Sequence, residues 1–149
     1  MKNILPLVLL ALAAGFCIPV QAGINAQLNL WTRSPVLAAA ISFAVGTLAL
    51  FGYALATRIP FPPPAHFTTA PWWVWIGGFL GAYFVFSTVI LAPRIGATAM
   101  LALILAGQML ASLVLDHFGW LGYPVQPISL LRLLGVLLIG AGVYLVRLF

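Results

Sequence analysis

An all-α integral membrane protein with five transmembrane helices is the fold class this 149-residue sequence predicts, and three observations predict it. Apolar residues make up 64% of the chain, and a single side chain, Asp116, is acidic. So little charge cannot cover a globular surface, and the bilayer is the natural solvent. The apolar residues fall into runs at 4–30, 35–56, 72–92, 95–115 and 128–146, each close to the length of about 20 residues that an α-helix needs to cross the hydrocarbon. None of the runs alternates, as a membrane strand of about 10 residues would. The runs and their breaks use up residues 1–149 as one transmembrane domain, with no soluble domain left over.

The first run contains "CIPVQAGINAQLNLW" (17–31), which supports two readings. "MKN", "ILPLVLLALAAG" and "VQA" supply the basic, apolar and small-residue parts of a cleavable signal peptide. Alternatively the segment is retained as an anchor: Gln21, Asn25 and Asn29 are four residues apart and stack on one helical face, and four further runs follow. Retention is the expectation, with Pro19 kinking the helix rather than ending it. A lipoprotein reading fails because the bulky Phe16 precedes Cys17. The second run is closed off from the first by "WTRSP" (31–35). After it comes "TRIPFPPPAHFTTAPWW" (57–73), whose prolines are expected to forbid a regular helix; Trp72, Trp73 and Trp75 suit the headgroup level. "APRIG" (92–96) separates the third run from the fourth and is expected to place Arg94 at the start of the fourth helix. "DHFGWLGYPVQP" (116–127) separates the fourth from the fifth.

Composition excludes several functions. The isoelectric point near 10.2 arises from isolated Lys and Arg residues and the scarcity of acids, without a basic run, so no nucleic-acid partner is expected. A lone cysteine, Cys17, excludes an intrachain disulfide. There are no paired carboxylates, no metal-ligand spacing, no nucleophile with a positioned base and no phosphate-cradling loop, so neither catalysis nor a cofactor or metal is expected.

Neutral polar groups at membrane depth remain as site candidates: Gln21 and Asn25 in the first run, Ser42 in the second, Tyr83, Ser87 and Thr88 in the third, Gln108 and Ser112 in the fourth. Amides are costly against lipid and should face a cavity or another helix. Gln21, Asn25, Tyr83 and Gln108 are the candidates for a substrate pathway, the three amides because small neighbours in "QAGIN" and "LAGQ" leave room; Ser and Thr fit interhelical hydrogen bonding. Asn29 is expected near the interface with Trp31 and Arg33. Asp116, followed by His117, is open to two readings: a residue capping the turn or pairing with an Arg, and a carboxyl that takes part in proton coupling beside the histidine. Arg94 is similarly open, as a headgroup anchor or an attractor of anions.

If all five runs span, Lys2, Arg58 and Arg132 lie on one side and Arg33, Arg94 and Arg147 on the other, three against three. The Lys/Arg bias then selects no orientation. Dual topology follows as one reading, in which a chain pairs with an inverted copy of itself and forms half of a ten-helix inverted-repeat transporter.

"PVQAGINAQL" (19–28), "GGFLGAYFVFSTVILAPRIGA" (77–97), "LAGQMLASLVLDHFGWLG" (105–122) and "GVLLIGAGVYLV" (135–146) together resemble the YdcZ-type branch of the drug/metabolite transporter superfamily. The resemblance implies a multi-pass protein of the bacterial inner membrane that exports or carries a small molecule, as an antiparallel homodimer or as a heterodimer with a paired homologue. Its last segment is also similar to that of the small multidrug resistance transporters, whose Gly-x-x-Leu-Ile-x-Ala-Gly-Val pattern falls on Gly135, Leu138, Ile139, Ala141, Gly142 and Val143. That likeness implies a dimer contact at Gly135 and Gly142; ordinary packing within one chain is the alternative. Those pumps carry a membrane-embedded glutamate in the first helix. Here Gln21 or Asn25 stands nearest to it, and a carboxamide does not titrate. A non-transporting membrane partner, requiring a second homologue, is the other functional class that the sequence leaves open.

Overall fold

The computed structural model describes residues 4–148, apart from the side chains of His66, Arg147 and Leu148. Lys2 and the Arg147 side chain, both counted in the charge balance, lie outside the described residues. The regular structure of the described residues is helical: α1 (Leu5–Thr32), α2 (Pro35–Ala56), α3 (Pro64–Thr69), α4 (Ile76–Ile95), α5 (Ala97–Phe118) and α6 (Leu130–Leu148), with short 3-10 turns at Trp72–Trp75 and Trp120–Gly122. Four stretches are long and apolar enough to cross a membrane, namely α1, α2, the continuous Trp72–Ile95 and α5; α6 is apolar but shorter.

Two units are distinguishable, residues 1–94 and 95–149. In the first, α1 packs against α2. "WTRSP" makes a tight turn between them because it ends one helix and starts the next. Arg33 adopts the left-handed conformation (φ 53°), and its N–H donates to the carbonyl of Asn29 at 2.8 Å. One residue on, the Ser34 Oγ accepts the Leu37 N–H at 3.3 Å, and Pro35 occupies the first helical position, where no N–H is needed. The Thr32 hydroxyl donates to the Ser34 carbonyl, closing the turn. Pro19 sits inside α1 without ending it.

The expectation that residues 57–73 hold no regular helix is corrected by α3. Pro64 stands at the first turn of that helix, where the missing N–H is unused, so the proline starts a helix there instead of preventing one. Arg94 is also relocated: α4 runs through Pro93 to Ile95, so Arg94 lies in the last turn of α4, where a cation complements the exposed carbonyls. Gly96, at φ 79°, makes the break before α5.

The interior of the first unit is built from small or branched side chains, while Met100 on α5 is the buried residue of the second. Ala22 and Asn25 on α1, Ala38 and Ala39 on α2, and Val85, Thr88 and Val89 on α4 are buried. Around them, large apolar side chains such as Leu10, Phe16, Leu48 and Phe79 stand exposed, which is the surface a hydrocarbon solvent requires.

In the second unit α5 packs against α6. The connection turns sharply at Gly119, which caps α5 at φ 63°, and a Cβ there would stand 2.6 Å from Val125 Cγ2. The Ser129 Oγ accepts the Arg132 N–H at 3.3 Å, an N-cap that starts α6 at Leu130 rather than at residue 128.

Candidate functional site

The helical spacing that aligns Gln21 and Asn25 also brings Cys17 onto their face, one turn earlier. These three residues, with Phe16, Val20 and Ile24 of α1 and Ser42 of α2, line a cavity of about 280 Å³. Gln21 and Ser42 also belong to a second cavity of about 320 Å³, completed by Phe43, Gly46, Thr47 and Leu50 of α2. With Gln21 and Ser42 in common, the two cavities adjoin, and together they form the amide-bordered face, or amide recess, between α1 and α2. Cys17 and Thr47 are not among the site candidates that the sequence indicates. For Cys17 the signal was present in its four-residue spacing from Gln21. For Thr47 only the rotation of α2 against α1 could have supplied it.

Asn25 is the unusual member. Its side chain is 3% exposed, and its Nδ2 has no hydrogen-bond partner. One turn on, the Oδ1 of Asn29 is likewise buried without a partner. An unmet buried donor or acceptor costs about 1–3 kcal/mol, and water cannot relieve that cost in hydrocarbon. Gln21, by contrast, is exposed.

The hydroxyls of α4 are engaged locally. Ser87 Oγ donates to the Tyr83 carbonyl and Thr88 Oγ1 to the Val85 carbonyl, each at 2.8 Å. Both serve their own helix rather than linking two helices. Tyr83 is exposed and lines a different, apolar cavity of about 340 Å³ between α2 and α4, with Val36, Ala39, Ala40, Phe43, Phe79, Ala82 and Phe86. Phe43 is common to this cavity and to the amide recess. Gln108 is exposed on α5, in the second unit.

In that second unit, Asp116 and His117 are both bonded. Asp116 Oδ2 accepts from Arg132 at 2.9 Å, and the same guanidinium donates to the Gln126 side-chain oxygen at 2.7 Å and to the Gln126 carbonyl at 2.9 Å. The Asp116 carbonyl accepts the Gln126 N–H at 2.8 Å, while His117 Nδ1 accepts the Ile128 N–H at 3.2 Å. The ion pair borders a cavity of about 390 Å³ lined by Met109, Ser112 and Leu113 of α5 and Gly135, Val136 and Ile139 of α6. A Cβ at Gly135 or Gly142 would meet nothing within 4 Å, so neither glycine is required by packing inside the described chain.

The profile of a family described as "Putative inner membrane exporter, YdcZ" matches residues 6–145. Over 75 residues the sequence is 33% identical to the inner membrane protein YdcZ of Escherichia coli (strain K12), an alignment that takes in 50% of this chain and 50% of that protein. The chain thus spans about half the length of the curated relative it matches. No solved structure matches it significantly.

Proposed function

We propose a carrier function for this chain, which belongs to the YdcZ family. It is a multi-pass inner-membrane protein, and its family is a membrane exporter class. Beyond that membership, the reading is that it moves a small molecule by alternating access as an antiparallel dimer. Residues 1–149 form a single transmembrane domain in this reading. The spans α1, α2, Trp72–Ile95, α5 and α6 number five in each copy, and the pair is an inverted repeat of ten.

The observation that carries the reading is the Asn25 amide, buried with Nδ2 unpaired in the wall of a recess. A chain under no functional demand would lose nothing by an apolar residue there, whereas a carrier needs an unmet polar group at membrane depth to receive its substrate. Gln21 belongs to the same pathway; Tyr83 and Gln108 are its further candidates. The bonds made by Asp116 and His117 support a role in holding the α5–α6 connection over proton coupling. The clearance at Gly142, and at Gly135 on the border of the α5–α6 cavity, leaves room for a contact made with a partner chain.

Two measurements test this. Purified full-length protein in proteoliposomes should accumulate at least one member of a metabolite panel; no uptake of any member would favour a non-transporting membrane partner. Reporters fused after Phe149 should give both cytoplasmic and periplasmic signals, collapsing to one when two or three lysines are added at the carboxy terminus. A single orientation in the unmodified chain would rule out the inverted homodimer.

A further inference from the structure

The linings of the amide recess and of the neighbouring α2–α4 cavity contain no acidic or basic side chain. An ion entering the recess would leave water with no counter-charge to receive it, an unfavourable exchange at membrane depth. A neutral polar molecule meets no such obstacle, and Asn25, which borders the recess, holds its Nδ2 donor buried just behind that lining with nothing bound to it. Phe43 is the residue common to the recess and the α2–α4 cavity. Its Cζ lies 3.3 Å from where a Cβ on Gly81 would stand, so the ring rests on α4 at a point that has no side chain.

We propose that the recess binds an uncharged molecule carrying a carbonyl or hydroxyl acceptor, received by Asn25 Nδ2 once a turn of the carboxamide brings that buried atom to the lining, and that Phe43 sets the size of ligand the recess admits. The proposal rests on the carrier reading and adds to it the class of substrate. Removing the Phe43 ring would join the recess to the cavity of about 340 Å³ behind it. Ligands too long for the recess alone would then fit.

Cys17 lines the recess and is the chain's single cysteine, so the protein carries its own reporter. The experiment follows the rate of Cys17 modification by N-ethylmaleimide, read by intact mass, in full-length protein held in lipid nanodiscs. The probes are benzamide, benzoate and benzylammonium, similar in shape and different in charge, together with the larger naphthalene-2-carboxamide. By mass action a bound probe slows labelling by one plus its concentration over its dissociation constant, so benzamide at about twice that constant slows it about threefold. Benzoate and benzylammonium leave the rate unchanged. Asn25→Leu erases the benzamide effect, and Asn25→Ala, which adds no bulk, keeps the test open should the leucine variant fail to assemble. Phe43→Ala lets naphthalene-2-carboxamide protect where the unmodified chain excludes it.

Equal protection by all three small probes, protection that survives loss of the Asn25 amide, or a Phe43→Ala chain that still excludes the larger amide would each overturn the proposal. Labelling is read without translocation. Absence of benzamide protection in a chain that transports some other solute therefore sinks this inference alone, and protection in a chain that moves nothing upholds it while sinking the carrier reading.

Discussion

The buried amides of the first unit and the ion pair of the second are satisfied in opposite ways. In the first, Asn25 and Asn29 are buried with a donor and an acceptor unmet. In the second, Arg132 alone reaches Asp116 and both oxygens of Gln126, and His117 takes up the Ile128 N–H. Charge was the more conspicuous signal in the sequence, since Asp116 is the lone acid. Yet the charged group is paired and the neutral amide is not. A satisfied network at a helix end fixes the course of a loop. An unsatisfied amide within a span is a cost that only a ligand or a partner chain can offset.

The sharpest way to break this comparison is Asn25→Leu. Transport by the folded protein should fall at least about tenfold, a change of about 1.4 kcal/mol, while thermal stability is unchanged or raised, because the unmet donor disappears with the amide. A stability loss that parallels the activity loss would place Asn25 in the packing instead. The converse change is Arg132→Leu, which leaves Asp116 without its partner. With the ion pair's side chains 32% and 25% exposed, the expected loss is about 1–2 kcal/mol by denaturant titration. Transport per folded molecule should change less than about twofold; a collapse of activity at full stability would restore proton coupling to Asp116.

A smaller loss, about 1 kcal/mol or somewhat more, is expected for Gly119→Ala, from the left-handed backbone and the approach of Val125. It would show that the second unit depends on its turn as well as on its ion pair. Least perturbing to the single chain are Gly142→Leu, where a Cβ meets nothing within 4 Å, and Gly135→Leu, which has the same clearance on the border of the α5–α6 cavity. Stability should move by no more than about 0.5 kcal/mol, while crosslinked dimer in detergent decreases. Val136→Leu, turned about 100° around the helix from Gly135, should leave the dimer yield unchanged. Equal yields for all three would return the glycines to ordinary membrane packing.

The helices themselves were legible in the sequence because the bilayer is a severe and simple filter: a run of apolar residues of spanning length has no other stable backbone form. α2 occupies residues 35–56, and α1 and α5 lie within three residues of the ends expected from hydropathy. The departures have local causes. Pro64 starts a helix where proline was read only as a breaker, Pro93 is tolerated within the end of α4, and Ser129 caps α6 two residues late. The face shared by Gln21 and Asn25 was legible too, since helical periodicity places residues four apart in one line.

Hydropathy and periodicity are properties of one helix at a time, and here they determined the class of protein, its apolar segments and the polar stripe on α1. They carry no information about how a helix is rotated against its neighbour or where a loop returns. Those two quantities decided that Ser42 rather than Ser87 borders the amide recess, that Phe43 and not another ring is common to it and the next cavity, and that Asp116 meets Arg132 across sixteen residues of sequence. They also decided which amide is buried without a partner, because satisfaction of a hydrogen bond depends on the atoms within about 3 Å of it, and only the folded chain brings those atoms together.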